Sequence, residues 1–317
     1  MPLFDADDVD FDSLCSRLRS GDPATSRVAL GEIAESCLPG GDGLALAALG
    51  DADDGVRGAA VQALDAYDGA AVVRGLIAAL HDPCETVRET AAATLARKRD
   101  PEGAESLVIA CSDSDPAVRA AIFRALVERR HPGALEPALA ALNDPASAVR
   151  SAAAAVLGWL KDGKAVAGLV AATRDPSPEV RRVAAGALVF ATAADAGTAV
   201  LAALSDAEWQ VREAAAEAIG KLRIHAAVPA LITAMDDAYW QVRVKAAAAL
   251  GLLGASSAIG TLGGALSHPI SNLRKEAAAA LGTIGDAAAR PFLNPFADDP
   301  DPDVRKAVRW ALSACAG

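Results

Sequence analysis

Nine arginines stand on one lattice, Arg57, Arg88, Arg119, Arg150, Arg181, Arg212, Arg243, Arg274 and Arg305, each 31 residues after the one before. Six residues ahead of each lies Asp51, Asp82, Asp113, Asp144, Asp175, Asp206, Asp237, His268 or Asp299. Carboxylates alternating with guanidiniums could serve acid–base catalysis or form ion pairs. Repetition decides between the two: a catalytic centre needs a unique constellation, whereas a pair that returns in every unit is architecture. Asp82, Arg88, Asp144, Arg150, Asp175, Arg181, Asp206, Arg212, Asp237 and Arg243 are therefore expected to form a structural ion-pair array.

Other chemistry is sparse. The four histidines, His81, His131, His225 and His268, are followed by Asp, Pro, Ala and Pro, so no helical His-Glu pair arises. The five cysteines (Cys15, Cys37, Cys84, Cys111, Cys315) include no C-x-x-C pair, and neither a disulfide framework nor a zinc site fits them. No phosphate-binding loop or G-x-S-x-G elbow occurs. No catalytic residue, metal or cofactor is expected, and the thiols are taken as reduced, which suits a cytoplasmic protein.

Departures from the lattice carry more information. Trp209 and Trp240, the latter preceded by Tyr239, stand two residues before the lattice valine in consecutive units. Elsewhere that position holds residues such as Asp54, Glu85, Ser147 and Pro178, the pattern of a solvent-facing site. Two neighbouring exposed tryptophans are expected there as partner anchors. Trp159 and Phe190, ten residues after the valine, form a second aromatic pair one unit apart. With Ala155, Gly186, Ala248 and Ala279 they are expected to edge a shallow, mainly apolar groove.

The elements that position these residues follow from the same register. Val precedes Arg in every unit but one, where Leu273 does. Small or apolar residues follow at +4, +7 and +8, which is one buried helical face. A second apolar stretch precedes each Asp, as in 71–80, 165–172 and 228–235. Pro137, Pro229 and Pro291 fall near helix starts, where a missing N–H costs nothing. In Asp82-Pro83, Asp144-Pro145 and Asp175-Pro176, the Asp is expected to cap the following helix. A period of 31 with this patterning is that of stacked helical hairpins. The expected fold is all-α, a right-handed α-solenoid of about ten hairpins. Residues 1–40 would be a cap and degenerate first repeat, 41–288 eight regular repeats, and 289–317 a capping repeat closed by Phe292, Phe296 and Trp310.

The stretch Asp175-Pro-Ser-Pro-Glu-Val-Arg-Arg-Val-Ala-Ala-Gly-Ala-Leu resembles HEAT repeats, in particular the short HEAT-like repeats named after phycobilisome lyases. The resemblance covers about residues 40–317 and extends to 11–38, where Asp22-Pro23 and Arg27 are nearly in phase. It implies that Asp and Arg link neighbouring repeats and that the second helices line a concave face. HEAT-like deoxyhypusine hydroxylases hold iron on His-Glu pairs, which this chain lacks, and HEAT-like alkylpurine DNA glycosylases are basic.

Composition sets the function class. The net charge of −11 disfavours nucleic acid, because affinity for phosphate backbones comes from Lys and Arg. Residues 246–273 carry no formal charge but hold five glycines and stay in repeat register, which excludes a membrane span. The acidic start, residues 1–12, has no signal-peptide pattern. The expected function is a non-catalytic scaffold that holds another protein, with neither nucleic acid nor membrane as partner. The alternative is a bilin lyase-like maturation factor acting with a second subunit, its groove stacking a tetrapyrrole.

Overall fold

The computed structural model describes residues 10–315. The acidic cap expected over residues 1–12 therefore falls almost wholly outside the described residues. All regular structure among them is helical.

The chain divides into two compact units, Met1–Leu160 and Lys161–Gly317. The first is five hairpins: α1 (Phe11–Leu18) with α2 (Pro23–Ser36), α3 (Gly41–Ala48) with α4 (Asp54–Ala63), and α5 (Ala70–Ala79) with α6 (Glu85–Arg97). These are followed by α7 (Ala104–Ala110) with α8 (Pro116–Leu126), and α9 (Leu135–Ala141) with α10 (Ser147–Leu160). The second unit repeats the plan. It pairs α11 (Ala165–Ala172) with α12 (Pro178–Ala187), and α13 (Ala193–Ala203) with α14 (Trp209–Lys221). Then come α15 (Val228–Ala234) with α16 (Trp240–Leu252), α17 (Ile259–Ala265) with α18 (Ser271–Ile284), and α19 (Arg290–Leu293) with α20 (Pro302–Ala314). No described helix is long and apolar enough to cross a membrane.

Each second helix turns the same stripe inward. Val87, Ala91 and Leu95 of α6 are buried, as are Val180 and Ala184 of α12 with Leu188 beyond it, and Val242, Ala246 and Leu250 of α16. Alanine at +4 keeps the helices close while supplying the strongest helix propensity. The lattice aspartates shape the turns rather than the helix ends. Oδ1 of Asp82, Asp144 and Asp175 accepts the N–H two residues on, from Cys84, Ala146 and Ser177. The N-cap residues of α6 and α12, Cys84 and Ser177, make no side-chain cap bond. This corrects the expected helix cap: Asp lies too far ahead of the first turn to reach its N–H groups.

Second helices in the C-terminal unit touch backbone to backbone. A Cβ placed on Gly251 would lie 2.8 Å from Ala280 Cα, and one on Gly282 would lie 2.8 Å from Ala311 Cα. Gly220 faces Ala249 Cα at 3.0 Å in the same way. These glycines stand at +9 of consecutive units and set the spacing between neighbouring second helices. The aromatic residues of the last repeat are not sealed in: Phe292 leans on Gly263 and Trp310 on Gly282, and half of the Trp310 surface stays exposed.

In the first unit, Lys98 does what no lattice position foretold. Its side chain is 5% exposed, and Nζ donates to the carbonyl oxygens of Asp65 (2.7 Å) and Tyr67 and to Asp68 Oδ1. The ammonium thereby ties the end of α6 to the turn that leaves α4.

Candidate functional site

Five arginines fork onto the aspartate of the next repeat, 25 residues ahead: Arg57–Asp82, Arg119–Asp144, Arg181–Asp206, Arg212–Asp237 and Arg274–Asp299. Nε and Nη2 of each reach the two carboxylate oxygens at 2.6–3.0 Å. Nη1 meanwhile donates to carbonyls of the arginine's own turn, such as Asp206 and Ala207 for Arg212. One guanidinium therefore closes a turn and joins two repeats, using the planar fork that lysine lacks. These side chains are only 3–17% exposed.

Other rungs differ. Arg88 donates to the carbonyls of Asp82 and Pro83 but does not reach Asp113, whose Oδ2 lies 3.0 Å from His81 Nε2. Arg150 donates Nη1 to the carbonyls of its own turn, Asp144 and Pro145, as the forked arginines do. Arg243 donates Nε to the Asp237 carbonyl, and its Nη1 faces His268 Nε2 at 3.4 Å. Arg27 at the degenerate end pairs with Asp53 rather than the lattice residue Asp51.

The guanidinium hydrogen bonds hold Asp82, Asp206 and Asp299 below the usual carboxylate range. A folded-state pKa lower than the unfolded one adds stability that is complete above about pH 4 and lost as pH falls through the folded value. Urea unfolding midpoints should thus hold between pH 7 and 5 in the rungs' share and drop steeply below about pH 4. The Arg181→Gln, Asp206→Asn double variant should show a shallower drop; an unchanged acid limb would refute this account.

The aromatic residues are arranged differently from the sequence expectation. Trp209 stacks on Tyr239, with ring centroids 5.4 Å apart and planes 13° from parallel. Trp240 does not make that contact, and both tryptophans are half-buried rather than solvent-facing. Tyr239 is the exposed ring at 47%, and the Arg212 guanidinium lies 5.9 Å from its centroid. Trp209 belongs to α14 and Tyr239 to the turn ahead of α16, so the stack bridges two repeats beside the Arg212–Asp237 rung. Glu208, next to Trp209 in the chain, and Asp236, three residues before Tyr239, are exposed.

Trp159 is 40% exposed at the end of α10, with the Arg130 guanidinium 5.1 Å above its ring. Phe190 does not share its setting. The chain tightens to a 3-10 turn over Leu188–Phe190, and three residues per turn instead of 3.6 swing the ring away from the second-helix face. Phe190 instead lines an open cleft of about 670 Å³ with Val166, Ala167 and Val170 of α11 and with Lys161, Thr192 and Asp195. The second-helix face is also more polar than expected. Glu217 accepts from Lys221 at 2.6 Å and pairs with Lys245 at 2.7 Å, and Arg182 pairs with Glu179. Ala248 and Ala279 are half-buried. Burial pushes the Cys111 thiol up to about 12, leaving little thiolate for chemistry. Among the described residues no three His, Cys, Asp or Glu side chains group as metal ligands.

A family model for HEAT repeats matches residues 11–96, 41–112, 73–158, 104–189, 135–220, 166–241 and 228–313. The chain belongs to the HEAT-repeat family. Its described helices are an α-solenoid of HEAT hairpins. Similar folds occur in an engineered protein (21% identity, 96% of this chain and 98% of that one, TM-score 0.55) and in the Escherichia coli protein YibA (19%, 80% and 94%, 0.61). The Kap95p chain solved with RanGDP is similar at 16% identity, over 96% of this chain but 49% of its own length, with a TM-score of 0.64. These identities speak to the fold alone. No curated protein matches the chain.

Proposed function

We propose that this chain is a non-catalytic, cytoplasmic scaffold that holds a partner protein at the Trp209–Tyr239 stack of its HEAT solenoid. The stack carries the reading. It breaks the repeat where most other units have small or charged residues, and it is braced by a guanidinium already fixed to Asp237. A ring pair held in place loses little conformational freedom on binding, which is what a protein anchor requires. The fold likeness to Kap95p, which binds RanGDP, supports a protein as the partner class. Exposed Glu208 and Asp236 and the chain's net charge of −11 favour a partner surface that presents cations.

A photo-crosslinking residue at Gln210, beside the stack, is expected to capture from native extract a protein that the same residue at Ile109 does not. With that protein purified, Trp209→Ala should weaken binding by about thirtyfold, the effect of losing an anchor worth about 2 kcal/mol. Equal capture at both positions, or equal affinity of the variant, would sink the proposal.

A further inference from the structure

The joint between the repeats of α16 and α18 breaks the ladder in a way that leaves donors facing each other. In five rungs a carboxylate receives the arginine fork, but here the lattice residue is His268. The Ile270 N–H donates to His268 Nδ1 at 3.1 Å, the same turn bond that an aspartate Oδ1 accepts elsewhere. Nδ1 must therefore be the bare nitrogen, and the neutral ring carries its proton on Nε2. Nε2 faces Arg243 Nη1 at 3.4 Å, and both atoms are donors. Arg243 has turned accordingly: its Nε donates to the Asp237 carbonyl, where other rungs use Nη1 for carbonyls and keep Nε for the carboxylate.

The charges around the joint do not cancel. Asp237 is held by Arg212 and Asp299 by Arg274, each through a two-bond fork. Among the described residues no carboxylate pairs with Arg243, so one positive charge and one imidazole N–H point at common ground. Burial, with the nearby guanidiniums of Arg243 and Arg274, keeps the His268 pKa below its ordinary value, so the ring is neutral at pH 7.5. Arg243 and His268 are both partly exposed, so solvent reaches them.

We infer that Arg243 and His268 form an oxyanion site, in which a carboxylate or phosphate from outside the chain settles beside the imidazole and accepts from both the guanidinium and the Nε2 N–H, supplying the negative charge that an aspartate side chain supplies in the regular rungs. Two convergent donors, one of them a guanidinium, match the two oxygens of such a group. The oxygens come from a free phosphate ion or from an acidic side chain of a bound protein. The inference does not depend on the aromatic stack.

The test follows the ring nitrogens of all four histidines by NMR while the full chain is titrated at pH 7.5. Ionic strength is held constant with potassium chloride. One arm uses inorganic phosphate, and a second uses a short peptide with a single glutamate against its glutamine counterpart. His268 signals should move saturably while His81, His131 and His225 stay still. Saturation by phosphate alone identifies the free ion as ligand; saturation by the glutamate peptide alone identifies a partner side chain. Arg243→Gln should weaken the response at least about tenfold. His268→Asp restores the internal carboxylate, so it should raise the thermal midpoint and make that midpoint insensitive to phosphate, whereas the wild-type midpoint rises with it. Saturation in neither arm overturns the inference, as does an equal drift of all four histidines or a His268→Asp midpoint that still rises with phosphate.

Discussion

Gly251→Ala is expected to destabilise the protein by about 1–3 kcal/mol, the cost of overpacking a closed contact. The sign is the informative part. Alanine inside a helix is normally more stable than glycine by about 1 kcal/mol, because it loses less backbone entropy on folding. At Gly251 the new Cβ would meet Ala280 Cα at 2.8 Å and its carbonyl oxygen at 3.3 Å. Those are backbone atoms of α18 and cannot rotate away, so α16 and α18 must separate. Gly186 in α12 is the control, since nothing lies within 4 Å of its Cβ position. Gly186→Ala should stabilise by about 0.5–1 kcal/mol. Opposite signs in urea unfolding would establish close helix approach as the role of the +9 glycines; a stabilising Gly251→Ala would refute it.

Lys98→Met is expected to cost about 2–3 kcal/mol, because two carbonyls lose a charged donor and methionine offers none in its place. Methionine keeps most of the volume, so the loss is of hydrogen bonds rather than packing. Arg97→Met next to it removes an ion pair with Asp65 whose partners are 57% and 41% exposed. That change should stay within about 0.5 kcal/mol. Hydrogen exchange should place the Lys98→Met loss in α4 to α6, because repeats contact only their neighbours. Equal effects of the two substitutions would show that burial of the ammonium does not matter.

The repeat made most of the fold legible. Helix pairs, the buried Val–Ala–Leu stripe and the Arg–Asp pairing all follow from one period, because identical units must solve the same burial problem identically. What the period hides is which atoms meet across units. Trp209 and Trp240 share a lattice position, yet Trp209 meets Tyr239, one residue earlier in the next unit. Arg88 and Arg119 are equivalent in sequence, but His81 reaches Asp113 first. Phe190 left the expected face because α12 ends in a 3-10 turn, a local change that no spacing announces. The +9 glycines were visible on the same count as the arginines, and Gly220, Gly251 and Gly282 were the signal that went unused. Lys98 had none, since its partners are backbone oxygens.

Every regular rung runs in one direction, from an arginine to the aspartate 25 residues on. Within the second unit, duplicating one whole 31-residue repeat that carries a lattice aspartate would leave each fork facing an equivalent carboxylate. An insertion of any other size would set a guanidinium against the wrong residue. The array can therefore change in length only in whole steps, and gene duplication in register is the route by which such a chain can be lengthened while keeping every joint. A laboratory analogue is direct: a second copy of residues 178–208 inserted after Glu208 should fold, whereas a copy shortened by two residues should not.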